Sequence, residues 1–191
     1  FTKGVSSAVE VLPVIDKLAA EKPWDWIISF HPLLNDGSLI DAYKEMASRY
    51  SNVRFLDGYK GLPTLAQADV MLCDNSSIII EMMLADKPVV TYKNTCPGPY
   101  LIDCTDIDEI GNALERAISR PDNLIQAMRN YVAQFEAHRD GHNSERVLAA
   151  VDDFILNQKH KLRSKPLNLF RKIKLRWHVK NKYFKYLFLR K

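Results

Sequence analysis

Short continuous apolar runs alternate with stretches of helical periodicity along residues 1–156. Ser7-Ala8-Val9-Glu10 has the capping-box pattern, in which Ser and Glu side chains reciprocally satisfy backbone donors, and Val11, Val14, Ile15 and Leu18 follow at helical spacing up to Pro23. Residues 24–31 read as a strand, because Pro32 disfavours helix in the residue before it. Residues 38–50 return to the helical period, 53–56 form a second strand, and 62–68 a short helix with Pro63 in its first turn. Strands at 69–73 and 88–92 enclose a helix at 76–85, with connections so short that the three must pack as neighbours. Asp106 caps a helix that Pro121 stops, and further helices cover about 123–137 and 144–158.

Strands that are apolar on both faces and alternate with helices define an α/β chain, a Rossmann-like doubly wound parallel sheet. In such sheets ligands bind beyond the carboxyl ends of the strands. That selects four places: residues 1–4, 29–32, 74–77 and 93–100.

Charge changes the picture at the far end. Thirteen of the 27 Lys and Arg lie in residues 157–191, which hold no acidic residue, whereas the preceding 156 residues carry all 23 acidic residues and a net charge of −9. An acidic domain (1–156) is therefore expected to continue into a basic amphipathic tail (157–191). In the tail Phe170, Ile173, Trp177, Phe184 and Leu187 can share one helical face among many cations. That pattern fits an anionic membrane surface. A nucleic-acid arm is disfavoured, because Leu187, Phe188 and Leu189 are too densely apolar for one. Cys73, Cys96 and Cys104 lack metal-ligand spacing and point to a reducing compartment. No run approaches the ~20 apolar residues of a membrane span. The opening at Phe1 without an initiator Met reads as a piece of a longer protein.

The most informative stretch is Asp74-Asn75-Ser76-Ser77, where a strand turns directly into a helix and offers two hydroxyls beside unpaired backbone N–H groups, a set suited to phosphate. Glu81 lies one turn on from Ser77, placed to accept from ribose hydroxyls. Helix capping by Asp74 or Ser76, with Glu81 a solvated charge, explains the same residues equally well. His31, at a strand end, can donate to a phosphate or take up a proton. Residues 93–100 have the turn residues of a loop that covers a ligand, although an ordinary surface connection fits better. Arg146 either reaches a pocket or belongs to a helix start at Asn143 or Ser144.

Strand, Asp-x-Ser-Ser, helix with an acidic residue, then a Pro-led strand resembles the signature of the CDP-glycerol glycerophosphotransferases of teichoic-acid and capsule assembly. His31, residues 140–146 and the opening Phe1-Thr2-Lys3-Gly4 resemble further features of that family. The resemblance implies the C-terminal half of a two-domain GT-B fold. Ser76, Ser77 and Glu81 would hold the nucleotide diphosphate and ribose, Thr2 and Lys3 would form the loop approaching the donor, and Ser29 stands where the family has a cation. Asn75 stands where it has an aromatic. His31 would stabilise the diphosphate, with Arg146 as a further contact. The family needs no tightly bound metal and works at the cytoplasmic face of the bacterial plasma membrane, with its acceptor handled by an N-terminal domain outside this chain. The expected function is transfer of glycerol phosphate, or a related polyol phosphate, from a CDP-activated donor. The alternatives are a UDP-sugar glycosyltransferase or epimerase of the same architecture, and a non-catalytic membrane-anchored binding module.

Overall fold

A computed structural model of the chain describes residues 6–31, 34, 36–58, 62–136, 138–158, 160, 163 and 166–187, with backbone alone at 62 and 180–187. It divides into two compact units, Phe1–Ala137 and His138–Lys191.

The first unit begins with α1 (Ala8–Glu21), followed by β1 (Trp26–Ser29), α2 (Gly37–Ser48), β2 (Val53–Leu56) and α3 (Leu62–Gln67). Then come β3 (Met71–Cys73), α4 (Ile78–Leu84), β4 (Val89–Tyr92), β5 (Ile102–Cys104), a 3₁₀ turn at Ile107–Glu109, α5 (Ile110–Ile118) and α6 (Asp122–Val132). Among the described residues all strand pairings are parallel, and they form two short sheets, β1-β2 and β3-β4-β5, instead of one continuous sheet.

Side-chain alternation about the strands separates two hydrophobic clusters. Val90, Tyr92 and Cys104 join Val11, Ile15, Tyr43, Met46, Ile110 and Leu114 from α1, α2 and α5. Val89 joins Leu65, Ile79, Met82, Met83, Met128 and Val132 from α3, α4 and α6. All four residues of β4 are buried, as expected of a parallel strand covered on both faces. The helices change cluster between α2 and α3, which is the reversal of winding that defines a doubly wound sheet.

Three local expectations change. Glu10 is not a capping-box partner: Ser7 precedes α1 without a side-chain capping bond, while the Glu10 carboxylate accepts from Lys93 Nζ at 2.7 Å and from the Tyr92 hydroxyl at 2.9 Å. A tertiary partner has displaced a local one. α4 starts at Ile78, so Ser76 and Ser77 lie in the turn before it. β5 had no counterpart in the sequence reading. Its middle residue is Asp103, whose Oδ1 accepts from the buried Thr91 hydroxyl at 2.6 Å and from Asn94 N at 3.0 Å.

The second unit contains α7 (Asn143–Asp153), continued by a π-helical turn over Phe154–Gln158, and α8 (Leu169–Leu187). Phe170, Ile173 and Trp177 on α8 are 91%, 63% and 67% exposed, so these three apolar side chains of the basic tail are left open. Among the described residues no helix is long and apolar enough to cross a membrane.

Candidate functional site

An open cleft of about 1610 Å³ lies between β1 and β3, lined by every residue of both strands. Several bonds bring the carboxyl ends of these strands to one edge. Ser7 N donates to Asp74 Oδ2 at 3.2 Å, tying the start of α1 to the end of β3. The Tyr43 hydroxyl of α2 donates to Ala8 O at 2.7 Å, and its ring meets Phe30, the residue after β1, edge-on at 4.8 Å. Burial raises the Tyr43 hydroxyl pKa, and the negative Asp74 carboxylate adds to the shift, so Tyr43 stays a donor. The same two causes, burial first, push the Cys73 thiol up to about 12 and keep it from acting as a thiolate near neutral pH. Tyr43, Ser7 and this use of Asp74 escaped the sequence reading because the contacts join residues 35 and 67 positions apart.

Ser29, His31, Ser76, Ser77 and Glu81 all line this cleft. His31, Ser76, Ser77 and Glu81 are exposed in it. Ser77 makes no side-chain capping bond, and among the described residues Ser76 Oγ accepts a long 3.4 Å contact from Ile78 N. Asp74 is not a helix cap either, since its carboxylate accepts from Ser7 N and, at 2.7 Å, from Asn75 N. Ser29 differs from the others: its hydroxyl oxygen is buried without a hydrogen-bond partner, as is Trp26 Nε1. The two arginines lining the cleft are engaged elsewhere, Arg54 with Gln67 Oε1 at 2.7 Å and Arg120 with Asp86 O at 2.8 Å. Among the described residues, the polar groups exposed at the carboxyl edge are the His31 imidazole and the Ser76 and Ser77 hydroxyls, with Glu81 one turn further on.

Thr2 and Lys3 lie outside the described residues. Arg146 is in the second unit, where both terminal guanidinium nitrogens bond the Asp140 carboxylate, Nη1 at 2.7 Å to Oδ1 and Nη2 to Oδ2. That pairing, helped by His142 N–H, lowers the Asp140 pKa to about 2.

Residues 93–100 brace the site instead of covering it, for none of them lines the cleft. Thr95 donates to Asn75 Oδ1 through both N and Oγ1 at 2.8 Å, and Asn94 Nδ2 donates to Asp74 O at 3.1 Å. At the far end Tyr100 stacks on Tyr131 with centroids 3.6 Å apart and planes at 9°. Asn75 thus holds the loop against the strand–helix turn. Asn75→Ala should cost about 1 kcal/mol and speed amide exchange at Thr95 while leaving β4 protected; unchanged exchange at Thr95 would remove the bracing role.

Lys93 has φ +54°, a strained value for a non-glycine residue, at the carboxyl end of β4. Its ammonium bonds Glu10, which raises the Lys93 pKa and lowers that of Glu10. Both partners are about half exposed, so the pair adds little stability. Among the described residues no group of His, Cys, Asp and Glu is arranged to hold a metal ion.

Taken together, parallel strands, helices on both faces and a cleft at the point where the winding reverses define a Rossmann-like α/β domain. A solved glycosyltransferase from Rickettsia africae ESF-5 superposes with a TM-score of 0.55 at 10% sequence identity, over 69% of this chain and 40% of that one. At that identity the likeness is one of fold, and this chain spans less than half of the structure it matches. No protein-family model and no curated protein matches the sequence.

Proposed function

We propose that this chain is the donor-binding half of a transferase that uses a nucleotide-activated donor, with CDP-glycerol or a related CDP-polyol as the donor. The observation that carries the reading is the convergence of His31, Ser76, Ser77 and Glu81 on one cleft at the carboxyl edge of the parallel strands. The Ser76 and Ser77 hydroxyls and the His31 imidazole donate to the diphosphate, and Glu81 accepts from the ribose. An acceptor hydroxyl attacks the β-phosphorus, and the bond from that phosphorus to the bridging oxygen breaks. CMP leaves with the bonding electrons, and the acceptor proton passes to a base outside this chain. The chain's share of catalysis is positioning and stabilisation of developing charge.

The resemblance of the Asp-x-Ser-Ser turn supports the CDP-polyol. A UDP-sugar glycosyltransferase is the second reading, favoured by the fold match to a glycosyltransferase. Calorimetric titration with CDP-glycerol, CMP and UDP-sugars separates them. The expected result is heat with the cytidine nucleotides; binding of UDP-sugars alone transfers the assignment to the second reading, and silence from every nucleotide removes both.

The charge of the tail and its exposed Phe170, Ile173 and Trp177 support a reading in which it binds an anionic membrane surface, on the cytoplasmic side in a bacterium. About 1 kcal/mol per basic residue near such a surface is available to it. Co-sedimentation with phosphatidylglycerol vesicles should be strong at low salt, fall in high salt, and vanish when residues 159–191 are deleted. Equal sedimentation with neutral phosphatidylcholine vesicles would contradict the electrostatic part.

A further inference from the structure

We infer that a short apolar strand, contributed by polypeptide upstream of Phe1 and preceding α1 in chain order, inserts between β1 and β3 and joins the two sheets into one.

Four observations converge. First, among the described residues β1 pairs only with β2 and β3 only with β4, so within them each presents an unpaired edge to the cleft that every one of their residues lines. Unpaired strand edges in the middle of a domain leave backbone donors and acceptors without partners. Second, the cleft reaches side chains from both layers, Val11, Ile15 and Leu114 on one side and Leu65 and Met82 on the other. An inserted strand would be buried on both faces, which calls for apolar residues at successive positions. Third, the buried Trp26 Nε1 and Ser29 Oγ, both on β1, have no hydrogen-bond partner. Buried polar groups in native proteins are generally satisfied, and an adjoining backbone would supply the acceptors.

The fourth observation selects the occupant. Ser7 N is bonded to Asp74 at the end of β3, and Ala8 O receives the hydroxyl of Tyr43, whose ring packs on Phe30 at the end of β1. The chain therefore enters α1 between the carboxyl ends of the two strands. A parallel strand followed by α1 and then by β1 makes the right-handed crossover that such units adopt almost without exception. The strand order becomes β5-β4-β3-insert-β1-β2, and the insert lies where the winding reverses. With β1 and β3 four and three residues long, an insert of about four or five residues spans them.

Amide hydrogen exchange on the intact polypeptide, carrying the residues upstream of Phe1 and free of nucleotide, tests this. Trp26 N bonds Asn52 O and Met71 N bonds Pro88 O, so by alternation the amides of Ile27, Ser29 and Leu72 face the cleft. In the intact polypeptide these three should exchange as slowly as the β4 amides, and at least 100-fold more slowly than in the chain beginning at Phe1. Fast exchange at the three sites in the intact polypeptide overturns the inference whatever the shorter chain does. Equal protection in the shorter chain at low concentration also overturns it, since the edges would then close without an insert. Protection that appears only with concentration, alongside a dimer mass, names a second copy as occupant and refutes the upstream strand. The outcome is independent of the donor: slow exchange without any nucleotide binding would sink the proposed function and leave the strand standing.

Discussion

Replacing His31 by alanine in the intact transferase is expected to lower turnover about 10²- to 10³-fold, the usual effect of removing one donor aimed at developing charge. The side chain is exposed in the cleft, so the melting temperature should stay within a degree or two of the parent. The loss is expected in kcat, measured as CMP released from CDP-glycerol. His31→Gln separates two roles: the amide can still donate to a phosphate and should recover a good part of the rate, whereas a proton acceptor would not be rescued. Ser77→Ala should weaken donor affinity about tenfold, the effect of about 1.4 kcal/mol on one hydroxyl contact. Full activity in folded His31→Ala and Ser77→Ala proteins would dissolve the donor site.

The largest effect on stability is expected at Met128. This side chain is fully buried, and α6 carries it into the cluster of Met82, Met83 and Val89. Met128→Ala removes three heavy atoms from a close-packed interior and leaves a cavity, at a cost of about 2–5 kcal/mol. The midpoint of urea denaturation should fall with its slope unchanged. A shift under about 0.5 kcal/mol, the scale of a surface substitution, would mean that α6 is not docked as described. Donor affinity is not expected to fall in parallel, because Met128 does not line the cleft.

Much of the fold was legible in residue order because strands buried on both faces leave little ambiguity. Val89, Val90, Thr91 and Tyr92 form one such run, closed by Pro88 before it and a turn after it, and all four are buried. The candidate site was legible for the same reason: strand ends fix which residues reach the carboxyl edge, and His31 and Ser77 follow from that rule. What escaped is whatever depends on partners distant in the chain. Ser7 and Glu10 have the spacing of a capping box, yet Lys93 and Tyr92 claim the carboxylate. Ile102–Cys104 went without an assignment, because the polar Asp103 interrupts its short apolar run and the partner that satisfies it, Thr91, lies on a neighbouring strand. The break in the sheet was hidden more deeply, for periodicity tells that a strand exists and is silent about its neighbours.

The placement of the three tryptophans carries an optical consequence. Trp24 and Trp26 line the cleft with ring centroids 6.1 Å apart, and Trp177 stands exposed on α8. Events in the first unit and events at the tail therefore report through different chromophores. With Trp177 replaced by phenylalanine, intrinsic emission follows the cleft alone; with Trp24 and Trp26 replaced, the remaining indole records wetting or drying of the tail by its spectral position, without any added dye.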